Sequence, residues 1–337
     1  MIIFSFVSLS FLRSFLKFPA FLFGSLIAGF GLTMYLFGVL IAFFRIFLDP
    51  HGYYLEFLNG IIWYSGMPVI VGIILILLDL FVLLPYKRTR KKIIYKFPKN
   101  KKLTVALTAY NDELSIGLAV EDFLSHPIVK RVIVVNNNSE DQTAEVARLA
   151  GAIVVSETRQ GYGYCVYRAM QEGCRYSDTD FTLVCEGDMT FRSYDIDKFI
   201  AYSPHADIVN GTRISEQLRA PRTQLTTFMY YGNFFVGKLL EAKHLGWGTF
   251  TDVGTTYKLC RNRSLKKLLP LLNPKINLEF NAHFLDTALR HGFLLVECPV
   301  TFHRRVGKSK GGNTGNWRAL AVGLRMSFGI CVTWRTD

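Results

Sequence analysis

The chain has 337 residues, half of them hydrophobic, and a formal net charge of +13. The apolar residues are concentrated in the first 86 positions, and the remainder has the composition of an ordinary soluble domain. Nine lysines and arginines and no acidic residue lie in residues 87–102, which leaves a net charge of +4 for the rest of the chain. Because the high charge is local, it does not indicate a nucleic-acid-binding protein.

Two long apolar runs, residues 19–44 and residues 61–84, stand near the start of the chain. Each exceeds the about 20 residues that a helix needs to cross the hydrocarbon core of a bilayer. A cleaved signal peptide does not fit, because the first run is too long and a second one follows it. We therefore predict an anchor of two transmembrane helices over residues 1–86, and a pair of buried core helices is the less favoured interpretation.

The charges beside the two runs predict their orientation. Arg13 and Lys17 precede the first run, whereas the loop between the runs carries Asp49 and Glu56. Basic flanks stay on the cytoplasmic side of a membrane. We therefore expect an integral membrane protein whose N-terminus and whose residues after 86 are cytoplasmic. Residues 87–102 would form a basic linker that is either solvated or in contact with anionic lipid head groups.

From residue 103 the pattern changes to short apolar strands that alternate with helices. This alternation predicts an α/β domain over residues 103–312, with a mostly parallel, Rossmann-like sheet and helices on both faces. Ser139 and Gln142 form a capping-box signature at the start of the second helix. The predicted strands are residues 103–109, 131–135, 152–156 and 181–185, and the predicted helices are residues 113–124, 141–150 and 163–172.

Polar residues follow three of these strands, at residues 110–113, 136–139 and 186–188. Because the carboxyl ends of parallel strands meet at one edge of a sheet, we expect these segments to converge there. Arg159 and the turn at residues 161–163 fall on the same edge. Carboxylates one residue apart, such as Glu186 and Asp188, predict a site for Mg²⁺ or Mn²⁺ that leaves room for phosphate oxygens. A solvated pair of acids is the alternative.

These residues resemble the family 2 glycosyltransferases, in particular the branch similar to dolichyl-phosphate mannose synthase. The resemblance runs from about residue 103 to residue 312. Seven segments carry it in the family's order: residues 107–113 for P-x-Y-N-E, residues 134–143 for V-D-D-G-S-x-D-x-T, residues 159–163 for N-x-G-Y/K-G, residues 186–188 for D-x-D, residues 211–213 for G-S/T-R, Asp252 for the acid before S/T-G-Y/F, and residues 302–310 for F-x-x-R-x-G-x-S-K.

The chain departs from the family pattern at three places. Asn136 and Asn137 replace a pair of aspartates, and an amide both donates and accepts hydrogen bonds whereas a carboxylate only accepts. Glu186 replaces the first aspartate of the metal motif and is longer by one methylene. Residues 107–108 lack the proline that is common in the family.

The resemblance implies a GT-A fold, a nucleotide-sugar donor, a divalent metal ion and inversion at the anomeric carbon. It assigns the metal to Glu186 and Asp188. The residues assigned to the nucleotide sugar are Tyr110, Asp112, Glu113, Asn137, Arg159, Gly161 and Glu186. The catalytic residues are Asp188, Asp252, Arg213 and Arg222, and the candidates for an acceptor phosphate are Arg213, Arg222, Arg304, Arg305, Ser309 and Lys310.

The chemistry of the acceptor separates the possible reactions. A sugar hydroxyl needs a carboxylate base near pH 7, and Asp252 is the candidate. A polyprenyl phosphate is already anionic, so it needs only cations that hold it against the donor diphosphate. The membrane anchor favours this lipid acceptor. Residues 313–337 include an apolar segment with arginines, at 317–334, which predicts a helix either at the membrane interface or docked on the domain.

We therefore predict a hexosyltransferase that uses a donor of the GDP-mannose or UDP-glucose type and a polyprenyl or dolichyl phosphate acceptor. Its partners would be this donor, this acceptor and membrane lipids, but no nucleic acid. Transfer to a saccharide or glycolipid hydroxyl is one alternative. A nucleotide-binding scaffold without catalysis is another.

Two histidines have weaker signals. His283 follows Glu279 by four residues on a predicted helix, and without a third ligand we interpret it as structural. His303 lies in the closing segment and is the better candidate for contact with donor phosphates.

Overall fold

The structure is a computed structural model that describes residues 18–48, 55–89, 93–96, 98, 101–307 and 315–334. The described residues form two compact units. Residues up to 89 and Ala242–Trp247 make up the helical unit, and the remaining described residues make up the α/β unit. Residues 315–334, which the sequence analysis separates from the α/β domain, belong to the α/β unit.

The described helices and strands follow the order that the sequence predicts, although two of the three predicted helices of the α/β domain begin later than predicted. The first helix of the α/β unit starts at Ile116 rather than at residue 113, and the second starts at Thr143 rather than at residue 141. The elements are α1 (Ala20–Leu48), α2 (Leu55–Tyr64), α3 (Gly66–Leu77), a π-helix (Leu78–Leu83), α4 (Leu84–Thr89), β1 (Leu103–Ala109), α5 (Ile116–Leu124), β2 (Val129–Asn136), α6 (Thr143–Leu149), β3 (Ile153–Ser156), α7 (Tyr162–Gly173), β4 (Phe181–Glu186), α8 (Ile196–Tyr202), β5 (Ile208–Thr212), α9 (Thr227–Lys243), β6 (Lys258–Arg261), α10 (Asn262–Leu268), α11 (Phe280–Arg290), β7 (Leu295–Pro299) and α12 (Asn316–Cys331).

The helical unit confirms the prediction of two apolar helical segments. Ala20–Phe44 and Glu56–Arg88 are both long and apolar enough to cross a membrane. The first packs against the second at two glycines, since a Cβ on Gly72 would lie 2.5 Å from the carbonyl oxygen of Gly24. Small residues at such a contact let two helix backbones approach closely, as in membrane helix pairs.

A buried ion pair joins the start of α1 to the end of the second apolar segment. Asp79 lies on the π-helix, and its Oδ1 accepts a hydrogen bond from Lys87 Nζ at 2.6 Å. Its Oδ2 accepts a hydrogen bond from the Phe21 N–H at 2.8 Å. Asp79 is fully buried and Lys87 nearly so, and this pairing offsets the cost of placing a carboxylate among apolar side chains.

The α/β unit is built on one sheet, in which the described strands have the order β3-β2-β1-β4-β6-β5-β7. The strands β1, β2, β3 and β4 run parallel to one another, as predicted. Strand β6 runs antiparallel to both β4 and β5. The sheet is therefore mostly parallel, with one reversed strand beside β4.

Strand β1 is buried over its whole length, because helices cover both faces of the sheet. On one face Val105 and Leu107 belong to the main apolar core, together with Phe123 of α5. On the other face α7 packs on β2, where the Cys165 thiol lies 3.5 Å from the Val135 carbonyl oxygen. This arrangement confirms the predicted layers, and a strand buried on both faces explains the continuous apolar run of β1.

His283 on α11 has a structural role, in agreement with the sequence analysis. Its Nε2 accepts a hydrogen bond from the Asn273 N–H at 3.1 Å, and its ring lies 5.3 Å from the ring of Trp334. Burial lowers the pKa of His283 to about 4. The imidazole is therefore neutral in the folded protein over a pH range in which an exposed histidine takes up a proton.

We expect His283 to make the α/β unit less stable as the pH falls from about 6.5 to about 4. In this range the unfolded chain binds a proton that the folded protein excludes, which costs about 1–2 kcal/mol at pH 5. Thermal unfolding of the full chain in detergent at pH 7.5 and pH 5 measures the effect. The variant His283→Gln keeps a hydrogen-bond acceptor but does not titrate, so its Tm should fall less than that of the wild type. An equal fall in both proteins contradicts this assignment.

Candidate active site

A cavity of about 660 Å³ opens in the α/β unit where β1, β2 and β4 end. Its wall includes Tyr110 and Asp112 after β1, Asn137 after β2, and Glu186 and Asp188 at the end of β4. The three polar segments that follow the predicted strands therefore converge on one edge of the sheet, as the parallel pairing requires.

Hydrogen bonds between neighbouring strand ends hold these segments together. Ser139 Oγ accepts a hydrogen bond from the Asn111 N–H at 2.9 Å, and Thr143 Oγ1 accepts one from the Asp112 N–H at 2.7 Å. The predicted capping box is therefore wrong, because Ser139 binds the β1 loop and α6 begins at Thr143 without a side-chain cap. Asn111 has a φ of 52°, a left-handed conformation that asparagine tolerates better than most residues.

The amide of Asn137 explains why this position does not carry the family's aspartate. Its Nδ2 donates hydrogen bonds to the carbonyl oxygens of Glu157 and Arg159, at 3.0 and 2.7 Å. Its Oδ1 accepts a hydrogen bond from the Gly161 N–H at 2.9 Å. A carboxylate has no donor for the two carbonyl groups. Asn137 therefore fastens the segment 157–161 to the end of β2, and both atom types of the amide are needed.

The acidic pair lies at the end of β4. Glu186 Oε1 accepts a hydrogen bond from Thr256 Oγ1 at 2.9 Å. Asp188 is almost fully buried, and its Oδ1 accepts hydrogen bonds from the N–H and the hydroxyl of Thr190 at 3.0 and 2.5 Å. Burial and the nearby charge of Glu186 raise the pKa of Asp188 to about 7.

The donor set of Glu186 and Asp188 fits a divalent cation. A cation between them would offset the repulsion and the burial that oppose the charged form of Asp188. Among the residues that the structure describes, no cluster of three His, Cys, Asp or Glu side chains could hold a metal ion. Phosphate and water oxygens would complete the coordination of such an ion, as is usual for Mg²⁺ at phosphate sites.

Arg305 joins the two acidic strand ends. Its Nη2 donates a hydrogen bond to Asp112 Oδ1 at 3.2 Å, and its Nη1 lies 3.4 Å from Asp188 Oδ2. The Val306 N–H also donates to the Asp188 carbonyl oxygen at 3.1 Å. In the described part of the segment 302–310, Arg305 therefore lines the cavity and contacts both acidic strand ends.

Arg213 and Asp252 form a second, buried ion pair. Arg213 Nε and Nη2 donate to the two oxygens of Asp252 at 2.7 and 2.8 Å. Burial alone would raise the pKa of Asp252, but the charge and hydrogen bonds of Arg213 hold it below its usual value. Arg213 lines the cavity, whereas Asp252 lies behind it and is fully buried. Both oxygens of Asp252 thus bind Arg213, and the carboxylate does not line the cavity.

Glycine at position 254 makes room for this arrangement. A Cβ there would lie 3.1 Å from Arg213 Nη2 and 2.6 Å from Asn233 Oδ1. Any larger side chain would crowd both the amide of Asn233 and the guanidinium of Arg213. The segment that follows Asp252 therefore brings Arg213 close to Asn233 of α9, on the cavity wall.

Several predicted site residues lie outside the cavity. Arg222 and Arg304 are exposed and do not line it. Glu113 is also exposed, and its Oε2 accepts a hydrogen bond from the Gln142 N–H at 3.1 Å. The side chain of Arg159 pairs with Glu157 instead of lining the cavity, with Nε 2.8 Å from Glu157 Oε1. Gly161 does line the cavity, and Ser309 and Lys310 lie outside the described residues.

His303 also lies elsewhere than predicted. Its Nε2 is 2.6 Å from the Tyr194 hydroxyl, and it is not among the residues that line the cavity. Residues two apart in a regular strand point to the same side, so this spacing would place His303 beside Arg305. Residues 303–305 do not form a strand, and the two side chains diverge.

The cavity also has an apolar end, which the sequence analysis does not predict. Its lining includes Leu225, together with Phe228 and Met229 of α9, and Val322 and Met326 of α12. The amphipathic pattern of α12 is visible in the sequence, but the side of the helix that meets the α/β unit depends on tertiary packing. Other wall residues that the sequence analysis misses are Tyr162, Asn277, Asn281, Phe302 and Arg325.

Comparisons with known proteins agree with this geometry. The model of the family described as glycosyl transferase family 2 matches residues 104–269. A dolichyl-phosphate hexose transferase of Haloferax volcanii is 27% identical over 210 residues, which are 62% of this chain and 86% of the relative. Protein RfbJ of Shigella flexneri is 31% identical over 113 residues, which are 33% of this chain and 84% of the relative.

A solved structure gives the same fold at low sequence identity. Glucosyl-3-phosphoglycerate synthase from Mycobacterium tuberculosis, in complex with Mn²⁺, UDP and phosphoglyceric acid, superposes with a TM-score of 0.50. It is 16% identical, and the match covers 74% of this chain and 82% of that one. The fold is thus of the GT-A type, and the family match and the named relatives define the class of protein as a glycosyltransferase. The chain belongs to glycosyl transferase family 2.

We expect Asp252→Asn to destabilise the α/β unit by about 3 kcal/mol, because it leaves the buried Arg213 without its counter-charge. The Tm of the full chain in detergent should fall by roughly 6–12 °C. Asp197→Asn is the matched control, since Asp197 is 82% exposed and its loss should change stability by less than about 0.5 kcal/mol. A variant Asp252→Asn that loses transfer activity but keeps the wild-type Tm would instead support a role as general base.

Proposed function

We propose that this protein transfers a hexose from a nucleotide sugar to a polyprenyl or dolichyl phosphate at the surface of a membrane. One observation carries the proposal: a single cavity has an acidic end at the strand tips and an apolar end between α9 and α12, with Arg213 on its wall. The donor diphosphate would bind a cation at the acidic end. The acceptor phosphate would bind Arg213, and its hydrocarbon chain would lie at the apolar end.

The acidic end suits the donor. Tyr110 is partly exposed at the cavity edge, where its ring would stack on a nucleoside base. Glu186 and Asp188 would hold Mg²⁺ or Mn²⁺ against the diphosphate. The metal would offset the charge that grows on the diphosphate as it leaves. The complex of the similar synthase with Mn²⁺ and UDP supports this choice of donor and cofactor.

Two arginines of the cavity wall, Arg213 and Arg305, suit an acceptor that is already anionic. An acceptor phosphate oxygen would attack the anomeric carbon from the face opposite the diphosphate, so that one C–O bond forms as the other breaks and the configuration inverts. Arg213 and Arg305 would hold that phosphate in line. A hydroxyl acceptor needs a base, and Asp252 has both oxygens bound by Arg213. This geometry favours the phosphate.

The apolar end suits the hydrocarbon chain of the acceptor. The outer faces of the two helices beside it are apolar and exposed, with Tyr231 and Phe235 on α9 and Trp317 and Leu324 on α12. Aromatic side chains of this kind settle at membrane interfaces. Both predicted interpretations of the C-terminal segment, docking and interfacial, are compatible with this helix. The name of the Haloferax relative supports a dolichyl phosphate acceptor.

The segment after α9 supports a position at the membrane surface. Ala242–Trp247 belongs to the same compact unit as the two apolar helices. Within that unit a Cβ on Gly246 would lie 2.7 Å from Leu84 Cδ1, at the basic end of the second apolar segment. Within the helical unit, Gly246 therefore lies against the basic end of the second apolar segment.

The reaction can be tested on membranes that contain the full chain, with labelled GDP-mannose and UDP-glucose, with and without Mn²⁺. We expect label in the lipid extract that mild acid releases, since a glycosyl phosphate is acid-labile. Asp188→Asn should reduce this transfer at least about 100-fold, because the diphosphate loses a metal ligand. Asp197→Asn, an equal change at an exposed position, should leave it unchanged.

The other outcomes distinguish the alternatives. Label in lipid that resists mild acid indicates a hydroxyl acceptor. The absence of label with either donor, from membranes in which the protein is folded, indicates a scaffold without catalysis. Full transfer by Asp188→Asn contradicts the metal assignment.

For the membrane orientation we propose a cytoplasmic N-terminus and a cytoplasmic α/β unit, on the evidence of the basic stretch 87–102. A cysteine placed at Glu56 should react with an impermeant maleimide in intact cells. A cysteine placed at Asp197 should react only after the cells are opened. The wild type gives the background of the native cysteines, five of which are buried. The reverse pattern of labelling contradicts this orientation.

A further inference from the structure

A row of hydrogen bonds runs from a buried lysine to Glu186. Lys258 Nζ lies 3.3 Å from Asn281 Oδ1, and Asn281 Nδ2 lies 2.7 Å from the Tyr162 hydroxyl. The Tyr162 hydroxyl bonds the Thr256 hydroxyl, which lies 2.9 Å from Glu186 Oε1. The row joins α11, the start of α7 and the start of β6 to the end of β4.

The direction of this row is determined by its two ends. The Nζ of Lys258 presents its N–H to the amide oxygen of Asn281, and the carboxylate of Glu186 can only accept. Asn281 must therefore present Nδ2 to Tyr162, and each hydroxyl donates to the next group toward Glu186. Burial and the charge of Glu186 raise the pKa of Tyr162 far above its usual value, so the phenol keeps the proton that it donates.

Lys258 is fully buried, which is rare for lysine without a partner carboxylate. Its hydrogen-bond partners in the described part of the chain are two oxygens of amide groups, Thr255 O and Asn281 Oδ1. Burial lowers its pKa to about 7, although the charge of Asp252 opposes the shift. A lysine in either protonation state has N–H groups for these two oxygens, so the direction of the row is the same in both.

Glu186 needs support that an aspartate would not. It stands where the related enzymes carry aspartate, and it has one more rotatable bond between the backbone and the carboxylate. Thr256 binds one carboxylate oxygen and so limits the orientations of the side chain. Thr256 and Asn281 are themselves buried, at 1% and 2% exposure, so the support is rigid.

We propose that Thr256, Tyr162, Asn281 and Lys258 are positioning residues that fix Glu186 for metal binding and so adapt the site to a glutamate. This inference rests on the proposed role of Glu186 as a metal ligand. The four residues do not touch the metal or the reacting atoms in this account. They act by fixing the orientation and position of the Glu186 carboxylate.

The test measures Mn²⁺ binding by electron paramagnetic resonance, with the full chain in detergent and with GDP or UDP present. Thr256→Val removes the hydroxyl and keeps the shape, and it should raise the Kd of Mn²⁺ about tenfold, as expected for a lost hydrogen bond to a charged group. Tyr162→Phe breaks the row one step further back and should raise the Kd about threefold. Thr287→Val is the matched control, a buried threonine on the same helix as Asn281 but outside the row; its Kd should equal that of the wild type.

The decisive comparison uses the Glu186→Asp background. We expect the side chain shortened by one methylene not to reach Thr256, so Thr256→Val should change the Kd by less than about twofold there. An equal change in both backgrounds overturns the proposal, since it would show an effect that does not pass through Glu186. Unchanged binding by Thr256→Val and Tyr162→Phe, each with the wild-type Tm, overturns it as well.

These outcomes are separate from a failure of the proposed function. If the folded wild type binds no Mn²⁺ with either nucleotide, the metal assignment fails and the positioning role fails with it. If the wild type binds Mn²⁺ and the two variants bind it equally well, only the positioning role fails. Should Thr256→Val unfold, Tyr162→Phe alone decides, because it removes a single oxygen from a side chain of nearly the same size.

Discussion

Two carboxylates at the end of β4, Glu186 and Asp188, repel each other in a largely buried site, and the surrounding residues are arranged to tolerate that repulsion. Thr190 and Thr256 donate hydrogen bonds to them, and Arg305 places a guanidinium beside Asp188. These contacts come from three different parts of the chain. The carboxylates therefore hold the loops after β4, before β6 and after β7 around one point, and the same point is where a cation would bind a diphosphate.

The ion pair of Arg213 and Asp252 keeps a charged guanidinium on the wall of the same cavity. Arg213 must remain charged at the wall of a buried site, and Asp252 supplies the counter-charge from behind. Because Asp252 is occupied in this way, Arg213 can meet an anion without a free carboxylate beside it. An acceptor that brings its own negative charge fits such a site better than a neutral hydroxyl does. The apolar lining residues of α9 and α12 likewise suit the hydrocarbon chain of a lipid acceptor.

Much of the sheet could be predicted, because buried parallel strands leave a local signal in the sequence. The bounds of β1 are predicted to the residue, and the polar segments after β1, β2 and β4 meet as expected. Helix starts are predicted less well. Ser139 satisfies a backbone donor of the β1 loop and not of its own helix, and nothing local distinguishes the two partners.

The site could be predicted only in part, because several of its contacts join residues that are far apart in sequence. The spacing of Glu186 and Asp188 indicates their shared role, whereas the support of Glu186 by Thr256 crosses 70 positions. Among the basic candidates, Arg213 and Arg305 line the cavity and Arg222 and Arg304 do not. All four are equally plausible from residue type alone. The fold decides which guanidinium groups point inward.

A structure of the full chain with Mn²⁺ and GDP or UDP, determined by cryo-electron microscopy, tests the central claim most directly. The account predicts a metal ion bound by Glu186 and Asp188, with the diphosphate of the nucleotide on the same ion. A nucleotide bound elsewhere, or a metal ion away from both carboxylates, would contradict it.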